Sequence, residues 1–196
     1  MASFDLAILT VLRHEGGWCD VPGDAGGETN YGISLKAIVR REGWTPADLG
    51  LENFEPGCMK GLTRQCAEGL WRRVWSHHLL DDVADQAIAT KLFDHVANFT
   101  NTRIPVAVAQ LAASCAGHIA RPDGIMGPDT LQALNACDPA HWCREMCRLI
   151  DQRYQGIVAE RPITQKSYDD EWHPRAACSA FSPCPLCLHA GVLPPV

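Results

Sequence analysis

Two carboxylates near the N-terminus, Glu15 and Asp24, are the residues whose types and spacing first suggest chemistry. On a helical wheel turning about 100° per residue, Phe4, Ile8 and Val11 fall within about 60° of arc, and Glu15 projects into the middle of it. Burial and the negative end of a helix dipole both disfavour a charged carboxyl there, the direction that general-acid chemistry near neutrality requires. A glutamate just past the core edge and pointing into water is the other reading of that position. Asp24 sits between Gly23 and Gly26 in a glycine-rich loop, where water and backbone N–H groups keep a carboxylate ionised. One carboxyl in an apolar setting and one in a wet setting is the division used in glycoside hydrolysis. One protonates the leaving oxygen and the other stabilises positive charge or positions water. Asp24 also fits a turn-forming role, and Glu28 is then the next carboxylate to consider.

Other candidates weigh less. Trp18 and Tyr31 can stack on sugar rings, whereas Trp71, Trp75 and Trp142 read as core. Asn98 fits either a bond to an N-acetyl group or a helix C-cap. His77, His78 and His95 lack a convincing third ligand. At the C-terminus Cys178, Cys184, Cys187 and His189 include a CxxC pair. A Cys-three-His zinc site there is a weaker reading than a disulfide or plain thiols, so no metal is expected.

The elements that must carry these residues are mostly helical. Ser3 is placed to cap a first helix from Phe4 to Glu15, stopped by Gly16 and Gly17. A Gly/Pro-rich loop follows, with a short hairpin around Thr29 to Tyr31. Periodicity returns over residues 35–42, 63–78 and 83–99, then from Pro105 to about Gly117, and again from Pro128. Asp138-Pro139 opens a long last helix with Trp142, Met146, Leu149, Ile150 and Tyr154 as its buried stripe. The pattern weakens beyond Arg161.

Composition bounds the answer. The 196 residues are 46% hydrophobic and 20% charged, which fits a globular chain and excludes disordered and fibrous classes. Seventeen Lys and Arg against 23 Asp and Glu give a net charge of -6, which argues against nucleic-acid binding. The apolar runs fall far short of the ~20 residues of a membrane span, and the N-terminus does not read as a secretory signal. Seven of the ten cysteines, Cys19, Cys58, Cys66, Cys115, Cys137, Cys143 and Cys147, are therefore expected to be reduced thiols packed as small apolar groups.

The run from His14 to Trp18, followed by Asp24 to Ser34 (Asp-Ala-Gly-Gly-Glu-Thr-Asn-Tyr-Gly-Ile-Ser), resembles the family 108 glycoside hydrolases. These are N-acetylmuramidases of phage endolysins and of bacterial secretion or lysis systems. Residues 70–75, 92–98, 123–131 and 153–154 extend the resemblance with less specific matches. Trp18 replaces the family's Tyr, Thr100 replaces a Gly, and Glu171 replaces the Gly of a Gly-Trp-x-x-Arg run that keeps Trp172 and Arg175.

The resemblance implies an all-α, lysozyme-like fold. Residues 1–90 would form the catalytic part, 91–175 a helical peptidoglycan-binding part, and 176–196 an irregular tail. It implies cleavage of the β-1,4 bond between N-acetylmuramic acid and N-acetylglucosamine, with Glu15 as acid assisted by Asp24 and Thr29. Trp18, Asn30, Tyr31, Asn98, Trp172 and Arg175 would bind glycan, without a cofactor. A monomer is expected, made in the cytoplasm and acting on the wall after passage through a holin or with a secretion partner. The alternatives are a non-hydrolytic peptidoglycan-binding protein and a lytic transglycosylase. Asp24 and Thr29 beside Glu15 favour hydrolysis over both.

Overall fold

The computed structural model describes residues 1–20, 27–36, 39, 42–164, 166 and 168–182. Helix α1, Phe4–Glu15, buries Phe4, Ala7, Ile8 and Val11 at the spacing of one helical face. Ser3 does not cap it through its side chain. Its backbone N–H donates instead to Gln86 Oε1 at 2.6 Å, which pins the chain start to a later helix.

A two-stranded hairpin follows, β1 Thr29–Asn30 paired antiparallel with β2 Ile33–Ser34. Its connection is only Tyr31-Gly32, and both have positive φ, 51° and 77°. That is the backbone twist two-residue hairpins need, and glycine adopts it without strain. Cys19 exchanges backbone hydrogen bonds with Thr29 and so adds a third rung.

Helix α2, Arg64–His77, is capped by Thr63, whose hydroxyl accepts from the Cys66 N–H. Its Trp71 and Trp75 are fully buried and meet Phe93 edge-on, with Phe4 closing the cluster. Truncating one such ring to alanine costs about 3–5 kcal/mol, so this cluster fixes how α1 and α2 sit on the helix carrying Phe93.

That helix, α3 (Gln86–Asn98), is the centre of the fold. Asp85 caps it by accepting from the N–H groups of Ala87 and Ile88. Every residue from Ile88 to Ala97 is buried, including Thr90, Lys91, Asp94 and His95. α3 packs on α1, on α4 (Arg103–Cys115) and on α6 (Pro139–Glu160).

α4 starts two residues before Pro105, because a helix's first turn tolerates proline. The turn before α5 (Pro128–Ala136) is tied to α4 by Gln110, whose amide donates to Asp123, Ile125 and Thr130 and accepts from the Gly124 N–H. α6 buries Trp142, Met146, Ile150 and Tyr154, with Leu149 half-buried beside them. The chain then turns through a wide helical segment, Tyr168–Trp172, into the short α7, His173–Ala177. The mainly helical fold is the one expected. No helix among the described residues is long and apolar enough to cross a membrane.

Candidate active site

The end of α1 meets the end of the described chain beside a cavity of about 220 Å³. Glu15, Asn98, Trp172 and Arg175 line it, together with His14, Asp170 and Glu171. Four of the residues singled out in the sequence therefore converge from α1, α3, the end of the Tyr168–Trp172 segment and α7.

Glu15 occupies the last position of α1, and its side chain is 15% exposed. The hairpin presses on its stem, since a Cβ on Gly32 would lie 2.5 Å from Glu15 Cγ. Only glycine fits there, for its positive φ and for this approach. On the cavity side Arg175 Nη2 stands 2.6 Å from Glu15 Oε1. That contact is electrostatic. The two protons of Nη2 are directed at the Asp94 carbonyl and at Asp94 Oδ1, both at 2.8 Å, and Nε adds a bond to Oδ1 at 3.1 Å. Glu15 Oε1 is buried without an aligned hydrogen bond among the described residues. The helical wheel thus placed Glu15 at the core edge but could not show the cation that faces it.

Asp94 holds this cluster together. Its carboxylate also accepts from His14 Nδ1 at 2.8 Å. Burial acts to raise the Asp94 pKa, but Arg175 and His14 overcome it and hold the group well below the usual carboxylate range. Burial likewise acts to lower His14, and the Asp94 charge and hydrogen bond reverse that and raise it to about 11. His14 is therefore an imidazolium. With Glu15 ionised, the buried group of His14, Asp94, Arg175 and Glu15 carries no net charge.

Behind Asn98 a second polar row closes the wall. Asn98 Nδ2 donates to the Tyr154 hydroxyl at 2.7 Å, so Asn98 is committed to α6 rather than capping α3. Tyr154 stacks at 5.3 Å on both Phe99 and Trp172. Burial pushes the Tyr154 hydroxyl up and keeps His95 neutral. Trp172 is half-buried and is shared with a neighbouring cavity of about 310 Å³ that also includes Asn98, Phe99 and Asn101. The two cavities share Asn98 and Trp172 in their walls.

The hairpin residues are placed differently. Asn30 is buried, and its amide donates to the Met59 carbonyl at 2.8 Å, which makes it a brace for the loop below. Tyr31 is half-buried and its carbonyl accepts from Trp71 Nε1. Thr29 Oγ1 lies 3.4 Å from the Gly27 carbonyl. Trp18 is 41% exposed under Lys60, whose Nζ is 4.3 Å from the ring centre. Asp24 lies outside the described residues, as do Cys184, Cys187 and His189. Glu28, the fallback carboxylate, is buried and accepts from the backbone N–H groups of Gly57 and Met59. None of the described cysteines forms a disulfide, and no group of three or more His, Cys, Asp or Glu fit to hold a metal occurs among the described residues.

The site residues that sequence reasoning left unassigned are His14, Asp94 and Tyr154. Charged residues inside the apolar stretch of α3 were the available signal for Asp94. Its partners are 80 and 81 residues away, beyond the reach of local pattern.

Residues 8–99 match the family described as glycosyl hydrolase 108, and residues 104–177 match the one described as a predicted peptidoglycan domain. A solved structure, that of SagA from Brucella abortus, is similar in fold. It is 24% identical with a TM-score of 0.63, over 88% of this chain and 92% of that one. No curated protein matches.

Proposed function

We propose that this chain, whose residues 8–99 match the family 108 glycosyl hydrolases and whose residues 104–177 match a peptidoglycan domain, is a peptidoglycan hydrolase with Glu15 as its general acid. The bond is the β-1,4 linkage between N-acetylmuramic acid and N-acetylglucosamine. Glu15 gives its proton to the bridging oxygen, which leaves on the N-acetylglucosamine side as the C1–O bond of the muramic residue breaks. Water adds to that C1 and returns a proton to the site. Asp24 and Thr29 assist by holding the water or the developing positive charge.

The observation that carries this reading is the place of Glu15. It is a nearly buried carboxyl on the wall of a cavity where both matched segments meet, with its stem fixed by Gly32. Trp172 and Asn98 line the same cavity, Asn98 with its Nδ2 given to Tyr154. On this reading residues 1–90 supply the acid and residues 91–175 the binding part, with α3 shared between them. A monomer reaching the wall through a holin or with a secretion partner completes it.

A cell-wall turbidity assay on the purified chain and on E15Q tests the assignment. E15Q keeps size and hydrogen bonding but has no proton to donate, so it should fold, bind wall and fail to lyse. Mass spectrometry of the parent's digest should show reducing muramic ends. Anhydro ends would indicate a transglycosylase, and absence of products a binding protein. D24N should lower turnover more than binding. If it does not, the cavity-lining Asp170 and Glu171 become the second carboxylates to test.

A further inference from the structure

Arg175 is 7% exposed, with its guanidinium committed to Asp94 and in contact with Glu15. A side chain so enclosed is poorly placed to bind glycan, the role its motif suggests. Its surroundings fit a different one. α3 grips α7 at two points one turn apart. Lys91 Nζ donates to the carbonyls of Arg175, Ala176 and Cys178 at 3.0, 2.7 and 2.6 Å, satisfying groups that the end of a helix leaves unpaired. Asp94 then accepts from Nε and Nη2 of Arg175 and fixes the guanidinium plane. With backbone and side chain both held, Nη2 has one place to be, and that place is against Glu15 Oε1.

We propose that Arg175 is a positioning residue for Glu15, so that α7, docked on α3 through Lys91 and Asp94, is part of the acid's setting and not only the end of a binding part. The inference rests on Glu15 being the acid. The guanidinium fixes which way the carboxyl faces. It also offsets the charge left on Glu15 when the proton moves to the leaving oxygen, at which point the buried cluster reaches neutrality. The charged groups around Glu15 are Arg175, with Asp94 and His14 behind it, and Asp170 and Glu171 across the cavity.

The test uses the full-length chain and steady-state kinetics on soluble peptidoglycan fragments, with folding followed by thermal denaturation. R175Q should lose about 100-fold in kcat, the scale of a 1 Å misplacement, with KM within about threefold of the parent. R175K should recover part of kcat, since a point charge replaces the fork. K91M keeps the guanidinium but removes the bonds that seat its backbone, so it should lower kcat by less than R175Q does, at parental KM. A folded R175Q with parental kcat overturns the inference, and so does a loss confined to KM, which would make Arg175 a glycan contact. If R175Q does not fold, K91M decides: reduced kcat at parental KM supports the inference and parental kcat overturns it. An active E15Q overturns the Glu15 reading itself, whereas an unaltered R175Q beside an inactive E15Q overturns only this step.

Discussion

Replacing Gly32 by alanine puts one methyl group between the hairpin and the acid. The new Cβ would lie 2.5 Å from Glu15 Cγ, 2.7 Å from its Cβ and 2.9 Å from its Cδ. Ordinary carbon contacts are about 3.5–4.0 Å, so roughly 1 Å of movement is required. The nearest atoms belong to the base of the side chain, where it leaves the helix, so rotating the far end of Glu15 does not relieve the clash. Either the end of α1 or the hairpin tip must give way, and the carboxyl shifts relative to Arg175 in both cases. A 1 Å displacement at a reacting group costs about 100-fold in rate. The positive φ of 77° adds about 1–2 kcal/mol of backbone strain for any residue with a Cβ.

G32A should therefore lose about two orders of magnitude in kcat, while strain and displacement together, about 2–5 kcal/mol, lower Tm by about 4–20 °C. G43A is the strain-only control. Its φ is 68° and a Cβ there meets nothing within 4 Å, so it carries the strain without the collision. It should lose about 2–8 °C in Tm and keep parental kcat. Cell-wall turbidity kinetics and thermal denaturation on the three proteins measure both quantities. A G32A protein with parental kcat would refute the argument that the hairpin seats the acid.

Two further predictions come from the buried charges. D94N leaves His14 and Arg175 buried without their anion, a loss of about 3–5 kcal/mol, read as a Tm drop of roughly 6–20 °C; a loss under about 1 kcal/mol would mean that the cluster is not held by Asp94. His14 is raised from its usual 6.5 to about 11 in the folded chain, so its contribution is complete below pH 6.5 and is lost as pH rises toward 11. The parent should thus lose more stability than H14Q between pH 7 and pH 10, and equal slopes in denaturant titrations would count against the His14–Asp94 pair.

Periodicity made much of this fold legible. The Phe4, Ile8 and Val11 stripe located α1 and put Glu15 on its inner face, and Asp138-Pro139 marked where the long helix begins. Local signals failed where a distant partner intervened. Ser3 has the right residue type for a cap, yet its N–H is claimed by Gln86, 83 residues away. Asn30 sits in a motif that resembles a sugar site, yet the Met59 carbonyl buries it as a brace. Arg175 was noticed as a glycan contact because sequence can show a cation but not its burial.

The same limit explains why the polar row of α3 reads ambiguously. Thr90, Lys91, Asp94 and His95 look like interruptions of an apolar helix, and buried ions are costly unless each meets a partner. Here each charge does meet one. Lys91 takes the end of α7, Asp94 takes Arg175 and His14, and burial keeps His95 neutral beside the Tyr154 hydroxyl. An apolar α3 would pack as well, but it would leave nothing to set where α7 stops or which way Arg175 turns. Holding α1 and α7 together at Glu15 is what these buried charges do, and it joins the segment that matches the hydrolase family to the one that matches the peptidoglycan domain.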